Sequence, residues 1–132
     1  FPWGNETPNP GRCNFKNAGF DEPQPVEVCP DGASPFGLFN LSGNVEEWCR
    51  DWYDVSGYGR LPVEDPILDQ KPPGGDRRAV RGGSYLSPFT RKNEITKRDA
   101  PCDLCSFGRG RRAPATGAGD RGFRCVSREQ PE

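Results

Sequence analysis

The chain has 132 residues, 18 basic and 19 acidic, and its net charge of −1 gives no general electrostatic case for binding nucleic acid or a membrane surface. Only 32% of the residues are hydrophobic while Gly and Pro number 17 and 15, which argues against a helix bundle. Three Trp, three Tyr and eight Phe supply rings for a small core and argue against a disordered chain.

Residues 1–15 read as loop, because Pro2, Pro8, Pro10 and Gly11 interrupt regular structure, with Phe1 and Trp3 as an aromatic anchor. A short strand is expected over 26–29, followed by turns at 30–32 and 34–37. The pattern becomes extended from Val45 and predicts a strand to Tyr53, with Trp48 and Trp52 on one face, anchoring the core, and Glu47, Cys49 and Asp51 on the other. Residues 54–78 form a long Gly/Pro/Asp-rich connection, a length that in a compact domain usually carries function or motion. Residues 77–87 give the next strand, broken at Gly82-Gly83 by a bulge or close backbone approach. Residues 93–100 are extended or helical, 101–120 read as loop with a basic run at 109–112, and 121–127 as a closing strand. The architecture is all-β with irregular loops, or α+β.

There is no His, so the commonest general base and metal ligand is missing, and no Ser-His or Cys-His arrangement exists. Six cysteines in so short a chain point to an oxidising, extracytoplasmic compartment and to disulfides, although sequence cannot choose the pairing. The single C-x-x-C, Cys102 and Cys105, reads as a local disulfide in a Gly-rich loop. A zinc site would need two further ligands from isolated cysteines.

Oxygen ligands are better represented. Asn40, the carbonyls of Gly43 and Val45, and Glu47 occur in a turn that feeds a strand, and calcium takes side-chain and backbone oxygens together. A second set could form from Asn14, the Phe15 carbonyl and Asp21. Asn5-Glu6-Thr7 and Asn40-Leu41-Ser42 also match the glycosylation sequon, the latter in conflict with a cation at Asn40. No apolar run is long enough to span a bilayer. The start at Phe1 and the lack of any Met lead us to expect a processed or excised piece.

Four stretches, "FPWGN", "SPFGLFNLSGNVEEWCRDWY", "RAVRGGSY" and "DRGFRC", occur in one order over nearly the whole chain. In that order they resemble the formylglycine-generating enzyme family, the sulfatase-modifying-factor domain, across the later half of that domain. The resemblance implies an α+β, C-type-lectin-like fold, loop-rich and incomplete in residues 1–132, with the earlier half supplied by a preceding segment or a partner chain. It implies calcium at Asn40, Gly43, Val45 and Glu47, and at Asn14, Phe15 and Asp21. Active members of the family hold copper on two cysteines whose positions here are Ser87 and Lys92, neither a soft ligand, so copper is not expected. Cys102 and Cys105 have the wrong spacing to replace them. In the family the cysteine after Gly-Phe-Arg can pair with the earlier half, and Cys125 here could pair with Cys49 or stay free.

The expected function is therefore a non-catalytic, extracytoplasmic binding or scaffold module that docks on a protein partner through residues 54–78 and 106–119. The alternatives are an oxidoreductase converting a sulfatase cysteine to formylglycine, or a related iron-dependent enzyme whose metal site lies outside this chain. A carbohydrate-binding role follows from fold analogy alone.

Overall fold

The computed structural model describes residues 1–89, 91–92, 99–100 and 102–126. Its strands are β1 (Glu46–Trp52), β2 (Arg78–Arg81), β3 (Arg91–Lys92), β4 (Asp99–Ala100), β5 (Gly110–Arg112) and β6 (Arg121–Gly122). Four form one sheet in the order β5-β2-β1-β6. The β1–β2 and β2–β5 pairs are antiparallel, whereas the short β6 runs parallel to β1. β3 and β4 make a separate antiparallel ladder. Two 3-10 turns, Pro30–Gly32 and Gly57–Arg60, are the helical elements among the described residues. The loop-rich architecture expected from composition is found, in line with the α+β class that the family resemblance implies.

β1 begins where expected because Gly43 and Asn44, with φ of 78° and 66°, turn the chain sharply into it. Gly43 is required there for a second reason: a Cβ would sit 2.2 Å from the Asn14 carbonyl oxygen. The β1–β2 register runs Trp48 opposite Val80 but Trp52 opposite Arg78, so β1 carries a bulge between its tryptophans. The Gly82-Gly83 break is also as expected, with both residues at positive φ and Gly82 against the Leu41 carbonyl.

Four expectations are corrected. Residues 26–29 form no strand: Val28 N donates to the Pro25 carbonyl at 3.2 Å, closing a turn, and Val26 is 61% exposed. Trp48 and Trp52 are only half-buried and do not form the core. Trp52 instead lies between two cations, with the Arg78 guanidinium 4.1 Å and the Lys71 ammonium 5.7 Å from its ring centroid. Residues 110–112, read as loop, are the edge strand β5, because their backbone completes the free side of β2. The closing strand is limited to Arg121–Gly122; Phe123 to Val126 leave the sheet and are exposed. Residues 93–98 lie outside the described residues, while Asp99 and Ala100 are extended in β4.

The buried apolar residues among those described are Cys13, Ala18, Cys29, Ala79, Val80, Cys102 and Leu104. Only Ala79 and Val80 come from the sheet. The others sit on loops that are tied together by backbone hydrogen bonds: Asn44 N to the Asn14 carbonyl at 2.7 Å, Gly43 N to Gly82 at 2.8 Å, Tyr85 N to Asn44 at 2.9 Å and Lys16 N to Ser87 at 3.0 Å. All six cysteines are free thiols in this structure.

Candidate functional site

The loop bonds just described join the Asn14 segment to the turn at Gly43 and Asn44, so the two expected oxygen clusters meet at that contact. Asn14 is almost fully buried. Its Nδ2 donates to the Glu22 carbonyl at 2.9 Å and to Asn44 Oδ1 at 3.3 Å. Its Oδ1 is buried and has no hydrogen-bond partner. An orphaned buried amide oxygen carries a desolvation cost unless something electropositive meets it, and a hard cation is one such group. The neighbouring Phe15 carbonyl accepts from Ala18 N at 2.9 Å and keeps one lone pair free. Asp21 lies on the exposed side of the same loop. Asn14 Oδ1 and the Phe15 carbonyl are thus oxygen donors of the kind a hard cation takes.

The set at Asn40, Gly43, Val45 and Glu47 is differently disposed. Asn40, at φ 53°, donates from Nδ2 to the Val26 carbonyl at 3.3 Å, so the side chain is turned with its Oδ1 away from that bond. The Glu47 carboxylate is taken by Arg124, whose Nε donates to Oε2 at 2.6 Å and whose Nη2 donates to Oε1. The same Nη2 donates to the Phe39 carbonyl at 3.1 Å. Arg124 thus occupies with its positive charge the edge of the turn that a cation would use, and its own pKa is raised by the hydrogen bonds to Glu47. Among the described residues no three His, Cys, Asp or Glu side chains cluster as metal ligands, so either site would rely on amide and backbone oxygens.

Two residues in this region were not singled out by sequence. Asn44 is buried, and its side chain exchanges hydrogen bonds with the Gln24 backbone, at 2.7 Å and 3.0 Å, pinning the preceding loop to the turn. Glu46 is buried rather than solvated, paired with Arg112 at 2.7 Å and Arg121 at 3.5 Å. Burial pushes its pKa up, and Arg112 opposes the shift. The signal that could have found Glu46 is the excess of arginines flanking β5 and β6.

The two positions that correspond to the family thiols are Ser87 and Lys92. Ser87 is buried in a tight turn, where its Oγ accepts from Ser84 N at 3.0 Å while Ser87 N donates to the Ser84 carbonyl at 2.9 Å. Its hydroxyl therefore closes the turn that follows the Gly82-Gly83 break. Lys92 lies in β3, and its side chain is outside the described residues. The two segments expected to dock a partner do come together. Arg109 lies over the rings of Tyr53 and Tyr58, at 4.6 Å and 4.4 Å, and donates to the Asp54 carbonyl at 2.9 Å. Arg81 reaches the Gly108 carbonyl at 2.9 Å and the Tyr58 hydroxyl. A groove of about 470 Å³ opens beneath residues 57–68, lined by Cys49, Tyr58, Leu61, Val63, Arg81 and Arg109 among others.

The turn before β1, the Gly82-Gly83 break and Arg124 reaching back to Glu47 all lie within the stretches that carry the family resemblance. Residues 1–129 match the sulfatase-modifying factor enzyme 1-like domain family, and the chain belongs to it. It is 31% identical to the formylglycine-generating enzyme of Streptomyces coelicolor over 96% of this chain and 40% of that protein. It is 29% identical to the enzyme of the same name from Thermomonospora curvata over 96% of this chain and 42% of that one. It is 35% identical to the hercynine oxygenase of Mycobacterium tuberculosis over 64% of this chain and 20% of that protein. The chain thus spans about two fifths of the length of the first two relatives. Among solved structures, the Treponema denticola variable protein 1 superposes with a TM-score of 0.58 at 24% identity, covering 86% of this chain and 34% of that one, a likeness of fold.

Proposed function

We propose that the chain is a non-catalytic binding or scaffold module of this family. It works outside the cytoplasm, with calcium-held loops presenting the surface formed by residues 54–78 and 106–119 to a protein partner. The observation that carries the reading is Ser87. The position at which the family resemblance calls for a copper-binding thiol holds a buried hydroxyl that is committed to its own turn. A hydroxyl is a hard, weak ligand for Cu(I), and this one is not free to turn toward a substrate.

Calcium is proposed first at Asn14, the Phe15 carbonyl and Asp21, on the strength of the orphaned Asn14 Oδ1, and second at Asn40, Gly43, Val45 and Glu47 once Arg124 is displaced. The partner surface is proposed from the Arg109 and Arg81 contacts that join its two segments into one face. The test is incubation of the purified polypeptide with copper and a cysteine-containing sulfatase peptide. No formylglycine is expected, and turnover overturns the reading.

A second reading is favoured by the identity to relatives named as enzymes. The chain would be the later part of an oxidoreductase whose metal ligands lie in a preceding segment. It predicts activity only when that segment is present, so the same assay on the longest natural polypeptide separates the two readings.

A further inference from the structure

Cys102 and Cys105 are a thiol pair in contact, with their Sγ atoms 3.0 Å apart. The turn that carries them is tightly coiled. Cys105 N donates to the Cys102 carbonyl at 3.1 Å, and Gly108 N to the Cys105 carbonyl at 2.8 Å. A Cβ at Gly108 would meet the carbonyl oxygens of Cys102, Cys105 and Asp103 at 2.8, 3.0 and 3.1 Å, so the coil has no room for a side chain there. The turn is also anchored from outside. Leu104, between the two cysteines, is fully buried. Its carbonyl accepts from Ser42 Oγ, and its Cδ2 would lie 3.1 Å from a Cβ at Gly83. Core packing therefore holds the two sulfurs together, and oxidation needs no rearrangement of the turn to bring them into reach.

The two sulfurs are not equivalent. Cys102 is 5% exposed, whereas Cys105 is half-buried. Cys105 lines a groove of about 390 Å³ together with Phe1, Pro2, Phe36, Leu41 and Ser106. Phe36 stands at its rim, 89% exposed. A small reagent in that groove meets Cys105 first. Burial pushes the Cys102 thiol up to about 11, while the backbone N–H groups of Leu104 and Cys105 act in the opposite direction and favour its thiolate. Cys102 thus rests protonated, but two N–H donors stand ready for a charge that forms on it during exchange.

We propose that Cys102 and Cys105 form a reversible thiol–disulfide exchange site, entered at Cys105 and closed by Cys102, rather than a static crosslink. The co-reactant is a low-molecular-weight disulfide. Cys105 gives up its proton and attacks one sulfur of that disulfide; the other half leaves as a thiol, and a mixed disulfide remains on Cys105. Cys102 then gives up its proton and attacks the Cys105 sulfur, and the second half leaves as a thiol. The chain loses two electrons and two protons, and the external disulfide gains them. Reduction runs the same path backwards: an external thiolate attacks Cys105, and Cys102 departs as a thiolate held by the two N–H groups. The ring spans residues 102–105 alone, so closing it removes little chain entropy and the bond is readily reopened. The exchange modifies the chain itself and stands apart from the function proposed above.

The test is equilibration of the native polypeptide in glutathione buffers of varied thiol-to-disulfide ratio, followed by acid quench, alkylation in denaturant and peptide mass mapping. The tryptic peptide 99–109 holds both cysteines and no other. In oxidising buffer it is expected to lose two hydrogens and escape alkylation, and in reducing buffer to take up two alkyl groups again without denaturant. This readout uses the wild-type chain and needs no variant to fold. With closure blocked, Cys102→Ser is expected to accumulate glutathione on Cys105 about tenfold faster than Cys105→Ser accumulates it on Cys102. A peptide that stays fully alkylated in the most oxidising buffer, a disulfide that opens only after denaturation, a crosslink from either cysteine to another peptide, or adducts forming as fast on Cys102 would each overturn the proposal.

Discussion

Arg124 grips both carboxylate oxygens of Glu47 across a sequence separation of 77 residues. This one pair fastens the Gly-Phe-Arg segment to the start of β1, and through the Phe39 carbonyl it also steadies the turn before it. Both partners are partly solvated, which reduces what the pair contributes, although two-point geometry recovers some of it. Arg124→Gln is expected to cost about 1 kcal/mol in urea unfolding. The same variant frees Glu47, so calcium affinity measured by titration calorimetry is expected to rise; an unchanged affinity would remove the Asn40–Glu47 set from consideration.

The turn itself is intolerant of a side chain. Gly43→Ala combines a left-handed backbone with a Cβ 2.2 Å from the Asn14 carbonyl oxygen, and no flexible atom can give way. A loss of more than about 3 kcal/mol is expected, enough to unfold a marginal domain. Circular dichroism melting of the variant against Gly19→Ala, where φ is also positive but nothing lies within 4 Å, isolates the clash from the strain.

Asn14→Asp separates a structural amide from a cation ligand. Without calcium the variant buries a carboxylate whose second oxygen replaces the Nδ2 donor and faces the Glu22 carbonyl and Asn44 Oδ1, at a cost of about 3 kcal/mol or more. With calcium the added charge becomes a better ligand. The gain in melting temperature on adding calcium is therefore expected to be larger in Asn14→Asp than in the wild type. Equal melting shifts in the two proteins would argue that no cation meets Asn14.

Glu46 should leave a signature in the pH dependence of stability. Its folded pKa is raised above the unfolded value near 4.5 by burial, so the folded state holds the proton to higher pH than the unfolded state does. The favourable contribution is complete below the unfolded pKa and is lost as pH rises through the folded one. Glu46→Gln lacks this loss. Denaturant titrations across that window are expected to give a stability difference that shifts in favour of Glu46→Gln as pH rises, and a flat difference would show that Arg112 and Arg121 cancel the burial cost.

Trp52 contributes as a half-exposed ring between Arg78 and Lys71. Trp52→Ala is expected to cost about 1–2 kcal/mol, less than the ~3–5 kcal/mol of a buried aromatic. A chevron or equilibrium urea curve checks it, and a loss in the larger range would restore Trp52 to the core.

Sequence carried β1, β2 and the turn before β1 well, because Gly43, Asn44 and the Gly82-Gly83 pair are locally demanding positions that few residues can fill. It failed where tertiary contacts decide. Residues 26–29 have strand-forming valines, yet Pro25 and Pro30 bracket them and the chain turns. β5 is an arginine-rich edge whose only reason to be extended is the open side of β2. At the candidate site the oxygen-bearing side chains of Asn14, Asn40 and Glu47 could be picked out from the sequence. The competing partner of Glu47 could not, since nothing local to Arg124 reveals a partner 77 residues earlier.

The parallel pairing of β6 with the first residues of β1 sets the order in which the chain can be completed. During synthesis the central strand and its turn emerge long before residues 121–124, so one flank of β1 and the Glu47 carboxylate must wait while the segment between them is made. Closing so long a loop late is slow, and it leaves a strand edge open meanwhile. A nascent chain halted before Arg121 would present that edge to chaperones or to a second nascent copy, and the arrival of β6 would act as the latch.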